Sequence, residues 1–113
     1  MSIWQEQLAN DAWKVGVAGR LDQSQNPQLE ENLTNLLNDG HRRLIVDLTQ
    51  ATYINSGGLR SLVSAWRKAR QQDGDLVLCG LNPRLQEIFS MVGFDKVFQI
   101  YPTCDLALQA IEN

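Results

Sequence analysis

The sequence predicts an α/β fold, a mixed β-sheet of about five strands with four to five α-helices packed against it. Short apolar runs rich in β-branched residues alternate with longer segments whose leucines recur at helical spacing, which is typical of parallel strands joined by helices. The first two runs are separated only by a turn, so the sheet is expected to be mixed. The 113 residues are enough for a single domain, residues 1–113, with one core.

The N-terminal part of the chain predicts two strands and a helix. Residues 3–7 and 12–18 have the pattern of short strands around a turn. Asn26-Pro27 then predicts a helix start, because an asparagine side chain can cap the first turn and proline suits the first helical position. Leucines at i, i+4, i+7 and i+8 give this helix one apolar face, and Gly40 follows as its stop.

The middle of the chain predicts a buried strand followed by a long helix. Residues 43–48 are apolar on both faces, which indicates a central strand that is covered from both sides. The helix predicted over residues 56–71 has an apolar stripe at i, i+3, i+4 and i+7. That stripe comprises Leu59, Leu62, Val63 and Trp66. Residues 75–79 are predicted to form the next strand.

The C-terminal third predicts two further helices around one strand. Asn82-Pro83 repeats the helix-start signal, and Gly93 is expected to end the third helix. Its inward-facing residues are predicted to be Leu85, Ile88, Phe89 and Val92. Residues 96–100 are predicted to form the last strand. The final helix, capped by Thr103 and Asp105, carries the apolar residues Leu106, Leu108 and Ile111.

Composition excludes several classes of function. A net charge of -3 argues against general nucleic-acid binding, which usually needs a basic face. Two cysteines, Cys79 and Cys104, are not expected to make a disulfide framework. Cys79 lies in an apolar run and is interpreted as a small buried hydrophobic residue. Neither cysteine has a second cysteine or a histidine at ligand spacing, so no metal is predicted.

The pattern of apolar residues also bears on location. The N-terminus has no basic segment followed by an apolar stretch, so no signal peptide is expected. The longest apolar runs are too short to span a bilayer, and we expect no membrane insertion. The predicted location is the cytoplasm.

The strongest candidate site is the segment Asn55-Ser56-Gly57-Gly58, between an apolar strand and the best-defined helix. A serine hydroxyl and several free backbone N–H groups are expected there, at the positive end of a helix. The two glycines remove steric bulk where another protein or a nucleotide would approach. This arrangement suits a site where phosphate is added, carried or removed.

These residues resemble the STAS domain family, and specifically its stand-alone anti-sigma factor antagonists, or anti-anti-sigma factors. The resemblance spans nearly the whole chain and implies a STAS-like mixed sheet. The strings that carry it are Gly19-Arg20-Leu21-Asp22, Leu44-Ile45-Val46-Asp47-Leu48-Thr49, Tyr53-Ile54-Asn55-Ser56-Gly57-Gly58-Leu59-Arg60 and Cys79-Gly80-Leu81-Asn82-Pro83.

The resemblance implies that Ser56 is the phosphorylation site. It also implies a partner-binding set that comprises Asn55, Ser56, Gly57, Gly58 and Arg60. Two positions depart from the family pattern: Asn55 stands where an aspartate is usual, and Gly57 stands where many members have a second Ser or Thr. The first departure removes a carboxylate, and the second leaves Ser56 as the single hydroxyl of the motif.

The resemblance further implies a partner-switching cycle without a cofactor. The unphosphorylated antagonist binds an anti-sigma factor that is also a serine protein kinase, and this binding frees a sigma factor or another target. The kinase phosphorylates the antagonist and releases it, and a PP2C-type serine phosphatase restores it.

Structural interpretations compete at each of these positions. Ser56 is also a plausible helix cap, Asn55 a turn residue, and Arg60 a solvated helix arginine. Asp47 is expected either to cap a nearby turn or to support the site, and the structural role is favoured. His41 is expected to be exposed and not a general base. The three tryptophans are interpreted as core or partial core.

Two other functions compete with the antagonist. A STAS subunit of a larger assembly, such as a lipid-transport ABC system or a signalling scaffold, would have the same fold and motif. A serine-dependent enzyme is disfavoured, because the chain lacks a Gly-x-Ser-x-Gly elbow and has a single histidine.

Overall fold

A computed structural model describes residues 3–112 of the chain. The predicted order of strands and helices is confirmed over these residues. The strands are β1 (Ile3–Gln7), β2 (Ala12–Leu21), β3 (Arg43–Ile54), β4 (Asp75–Cys79) and β5 (Ile100–Tyr101). The helices are α1 (Asn26–Asn38), α2 (Ser56–Gln71), α3 (Pro83–Met91) and α4 (Cys104–Glu112), and turns of 3-10 helix lie at Ala9–Asp11 and Phe94–Lys96.

The five strands form one mixed sheet in the order β1-β2-β3-β4-β5. β1 is antiparallel to β2, and every other neighbouring pair is parallel. β2 and β3 are longer than predicted. They remain paired with each other as far as Leu21 and Ile54, despite register shifts that begin after Gly16. This extension carries the end of β3 to the start of α2, where the candidate motif lies.

The sheet is covered on both faces, as the apolar run of β3 predicts. Alternate β3 residues point to opposite sides, so Leu44 and Val46 belong to the larger core while Ile45 belongs to the smaller one. The larger core packs the leucines of α1, α2 and α3 against one face. The smaller core packs Ala107 and Ile111 of α4 against the other.

The prediction of a strand over residues 96–100 was wrong, because β5 has only two residues. Phe98 lies before β5 and is 3% exposed. Its ring contacts three other aromatic rings edge-on, at centroid distances of 6.1–6.3 Å, and these belong to Trp66, Phe89 and Phe94. Packing of this ring therefore replaces strand pairing over most of the segment.

The third helix also ends earlier than its apolar pattern suggests. α3 stops at Met91, and Gly93 adopts the left-handed conformation expected of a helix stop (φ 79°). Leu85 and Phe89 are buried as predicted, but Val92 is 50% exposed and does not face the core. Because Val92 lies beyond the last helical turn, it falls off the inward face of α3.

The two cysteines form a disulfide, which corrects the expectation that they make none, while Cys79 is buried as predicted. Cys79 ends β4 and Cys104 begins α4, and their Cα atoms are 5.1 Å apart. The sequence separation of 25 residues hides this proximity, which arises because β4 and α4 meet at one edge of the sheet. Closing a loop of this length contributes roughly 3.5 kcal/mol to stability through the entropy of the unfolded chain.

No helix in residues 3–112 is both long enough and apolar enough to cross a membrane.

Candidate functional site

The candidate motif lies where β3 ends and α2 begins. Asn55 has extended backbone geometry, and its Oδ1 accepts a hydrogen bond from the Gly58 N–H at 3.0 Å. The backbone N–H of Asn55 donates to the Leu21 carbonyl at 3.1 Å, which ties the motif to the end of β2. Asn55 is therefore the N-cap of α2, and the interpretation of Ser56 as the cap was wrong.

Ser56 is the first helical residue, and its side chain is exposed. Over residues 3–112 the structure gives its hydroxyl no hydrogen-bond partner. The hydroxyl is not needed as a cap because the Asn55 amide performs that role. Ser56 thus presents an accessible oxygen beside the backbone N–H groups of the first turn.

Asn26 belongs to the site, although its sequence context predicts a different role. It was predicted to cap α1, but α1 begins at Asn26 itself, and the preceding Gln25 makes no side-chain cap. The Asn26 Nδ2 instead donates to Asn55 Oδ1 at 3.1 Å. The backbone N–H of Asn26 donates to the Asp22 carbonyl, and its side chain extends to the motif. No local signal identifies this contact between residues 29 positions apart.

The two glycines of the motif are closely packed against neighbouring residues of β2, β3 and α1. A Cβ on Gly58, which is buried, would lie 2.8 Å from Ile54 Cγ1 and 3.0 Å from Leu21 Cδ2. A Cβ on Gly57 would lie 2.6 Å from the Asn26 amide nitrogen. The glycines therefore allow α2 to start close against β2 and α1. Close packing at both positions requires small residues. This requirement is separate from the access that the glycines give to a partner.

Two depressions meet at Ser56. A groove of about 720 Å³ runs between the start of α2 and α3, and a smaller apolar one of about 280 Å³ lies between α2 and the turn after α3. Both are lined by Ser56 and Leu59. The groove is completed by Tyr53, Ile54, Asn55, Pro83, Arg84, Glu87 and Ile88, and the apolar depression by Arg60, Val63, Val92 and Phe94. The surface around the hydroxyl is thus mixed on the α3 side and apolar on the side of Val63, Val92 and Phe94.

Cationic side chains border this surface. Arg60 is exposed one turn after Ser56 and has no ion pair among residues 3–112. The Arg20 guanidinium lies 4.3 Å above the Tyr53 ring and 3.8 Å from the Asp22 carboxylate. Hydrogen bonds from the Ser24 hydroxyl and N–H hold the pKa of Asp22 below its usual range, so this carboxylate stays ionised at neutral pH.

Asp47 and His41 lie away from the motif. Asp47 is 7% exposed and accepts hydrogen bonds from the Thr49 N–H (2.9 Å) and hydroxyl (2.7 Å), which confirms its structural interpretation. His41 was predicted to be exposed, but its side chain is only 23% exposed and packs against the Trp13 ring. It precedes β3, whereas Ser56 follows β3, so the strand separates the two side chains.

Replacing Asn55 by alanine should lower the free energy of unfolding by about 1–2 kcal/mol, because the N-cap of α2 and the acceptor for Asn26 are both lost. Urea denaturation followed by circular dichroism measures this change. Asn55→Asp is the matched control, since it keeps the acceptor oxygen and places a negative charge at the helix start. Equal losses in the two variants would show that the oxygen does not stabilise the helix.

The chain matches known proteins along most of its length. The STAS domain model matches residues 7–107. The chain is 36% identical over 86 residues to the BtrV protein of Bordetella bronchiseptica, which covers 76% of this chain and 74% of that protein. It is 32% identical over 88 residues to an anti-sigma-B factor antagonist of Staphylococcus aureus, covering 78% and 82%. The crystal structure of an anti-sigma factor antagonist from Mycobacterium paratuberculosis has a TM-score of 0.89 at 27% identity, covering 99% and 94%.

Proposed function

This chain belongs to the STAS domain family, and from that premise we propose that it is an anti-sigma factor antagonist controlled by phosphorylation of Ser56. In its unphosphorylated form it binds an anti-sigma factor that is also a serine protein kinase. Phosphorylation releases the partner, and a PP2C-type serine phosphatase returns the antagonist to its binding form. The named relatives support the antagonist role, because their match extends across most of both chains.

The observation that carries this proposal is the exposed Ser56 hydroxyl at the start of α2. A kinase must bring its γ-phosphate in line with a hydroxyl that no other interaction holds. Asn55 caps the helix in place of Ser56, so modification of Ser56 costs no cap. Asn55 also supplies the acceptor oxygen that an aspartate would provide here, which makes the departure from the family pattern compatible with the same fold.

A phosphate on Ser56 would act on the interface more than on the fold. It adds about -1.5 to -2 charges at pH 7, and the helix N-terminus favours such a charge by roughly 0.3–1 kcal/mol. An unpaired anion that must be desolvated in an interface costs several kcal/mol, whereas about 1.4 kcal/mol already changes affinity tenfold. A local charge therefore switches binding without unfolding α2.

The partner surface that we propose comprises the motif together with the two depressions that meet at Ser56. Val92, which is 50% exposed, gives this surface an accessible apolar side chain, and Arg60 supplies a cation at its edge. Gly57 and Gly58 offer only backbone atoms because glycine has no side chain. Gly58 is buried, and Asn55 and Gly57 are half-buried. This combination of accessible apolar and charged side chains is typical of protein interfaces.

We assign the chain no catalytic activity of its own and place it in the cytoplasm, where its kinase and phosphatase would act. The sequence contains a single histidine, and β3 separates that side chain from Ser56. The net charge of -3 gives no support to nucleic-acid binding.

The proposal is tested by identifying the partner and then the modification. Pull-down from native lysate should recover a small ATPase of the histidine-kinase-like class. Intact-mass measurement after incubation with that ATPase and ATP should show one added phosphate, absent from Ser56→Ala. Recovery of an ABC-transporter ATPase instead would favour a STAS subunit of a larger assembly. A phosphate that persists in Ser56→Ala would show that the assigned residue is wrong.

A further inference from the structure

The Cys79–Cys104 disulfide closes the segment of the chain that carries one wall of the groove beside Ser56, although the bond itself lies on the α4 face of the sheet. It joins the end of β4 to the start of α4 and thereby closes a segment that contains α3. Four residues of α3 line the groove that Ser56 shares, namely Pro83, Arg84, Glu87 and Ile88. The bond therefore anchors both ends of the segment that carries the α3 wall.

The two cysteine residues differ in their exposure. Cys79 is fully buried, whereas Cys104 is half-buried and is the first residue of a nine-residue helix. A thiolate at a helix N-terminus is stabilised by the free N–H groups and by the helix dipole. An incoming thiol thus meets Cys104 first, and Cys104 is also the better nucleophile for closing the bond again.

A buried carboxylate lies next to the pair. Asp47 of β3 pairs with Cys79 of β4 in the sheet. A carboxylate oxygen of Asp47 and the sulfur atoms of Cys79 and Cys104 all lie within 4.8 Å of one another. Asp47 is held by Thr49 and lies 3.7 Å from the Lys14 ammonium. The pair therefore has a charged neighbour on β3, and Cys79 is its buried member.

The compartment decides how such a pair is used. Disulfides in the cytosol of most organisms are reduced by dithiol systems, and those that form there are usually transient or redox-sensing. The chain has two cysteines, and the fold places both at bonding distance. In the cytoplasmic location proposed above, this geometry favours a bond that opens and closes.

We propose that Cys79–Cys104 is a thiol–disulfide exchange site, opened by a protein dithiol of the thioredoxin class, and that its opening loosens α3 and weakens partner binding beside Ser56. A thiolate of the reductant attacks the Cys104 sulfur, the S–S bond breaks, and Cys79 leaves and is protonated. The second thiol of the reductant attacks the mixed disulfide and releases Cys104 as a thiol. The reductant ends as a disulfide, and this chain gains two thiols. The effect on the partner rests on the proposed antagonist function, whereas the exchange chemistry does not.

The first experiment treats the full chain with thioredoxin under native conditions. Thiol alkylation and mass spectrometry should show complete reduction without denaturant. Amide hydrogen exchange over Pro83–Met91 should then become at least about fivefold faster, while α1 stays unchanged as an internal control. Reduction that requires denaturant, or unchanged exchange in α3, would overturn the proposal.

A pair of single variants tests which sulfur is attacked. Cys79→Ser leaves Cys104 free, and Cys104→Ser leaves Cys79 free, so both lose the bond equally. With folding checked by circular dichroism, Cys104 should be alkylated at least about tenfold faster than Cys79. Equal or reversed rates would contradict attack at Cys104.

The link to the partner is tested with the Cys79→Ser/Cys104→Ser double variant, which imitates the open form and cannot respond to reductant. Its affinity for the anti-sigma factor should be about tenfold weaker than that of the oxidised chain. Equal affinities would overturn the link. If α3 loosens on reduction but neither form binds the anti-sigma factor, the exchange site is supported and the antagonist function fails.

Discussion

Ser56→Asp should weaken binding of the anti-sigma factor by about 30- to 100-fold and leave the helical circular-dichroism signal of the chain unchanged. The substitution places a negative charge on an exposed side chain at the start of α2, where the helix tolerates it. The same charge would have to be desolvated against the partner. Calorimetry with the purified partner measures the affinity, and urea denaturation verifies that stability is retained.

Ser64→Asp is the matched control, because Ser64 is an exposed serine of the same helix, two turns further along. It introduces the same charge about 12 Å from Ser56 along the helix axis. Its affinity for the partner should stay within about twofold of the unmodified chain. Equal losses in both variants would show that net charge, and not the position of Ser56, controls binding.

Phe98→Ala should lower the free energy of unfolding by about 3–5 kcal/mol, a large part of the stability of a domain of this size. The Phe98 ring is 3% exposed and stands at the centre of the edge-on contacts with Trp66, Phe89 and Phe94. Removing it opens a cavity between α2, α3 and the segment that leads into β5. Urea denaturation of the oxidised chain measures the loss.

Phe94→Ala is the control for this prediction, since Phe94 is half-buried and meets the same cluster through the Phe98 ring. We expect about half the loss of the Phe98 variant. A loss below about 1 kcal/mol for Phe98→Ala would show that the aromatic cluster does not hold the C-terminal segment in place.

Elements whose limits are encoded by neighbouring residues could be predicted from the sequence. The helix predicted over residues 56–71 is observed as Ser56–Gln71, because Asn55 caps its start and the left-handed Asp73 follows its end. The burial of β3 on both faces could also be predicted, because an apolar run without alternating polar residues must be packed against other elements on both sides. The prediction of a strand over residues 96–100 was wrong because the apolar residues of this segment suit a strand as well as they suit a packed loop. The long-range packing of the Phe98 ring determines the observed structure.

The sequence likewise predicts some features of the candidate site and not others. The sequence marks Ser56 and its neighbours, because serine, asparagine and glycine at a strand-to-helix junction form a local pattern. It does not show that Asn55 caps α2 in place of Ser56, because either side chain suits that position. The cover of Gly57 and Gly58 by β2, Ile54 and α1 also depends on neighbours that the local pattern does not name.

By itself the sequence determined the succession of strands and helices, the family and the accessible serine, because each of these is written in residues that are adjacent or one helical turn apart. Only the tertiary structure decided the contact of Asn26 with Asn55 and the bond between Cys79 and Cys104. These pairs are 29 and 25 residues apart, and no short-range pattern specifies such distances. They form because parallel strands deliver their ends to one edge of the sheet, where the following helices begin.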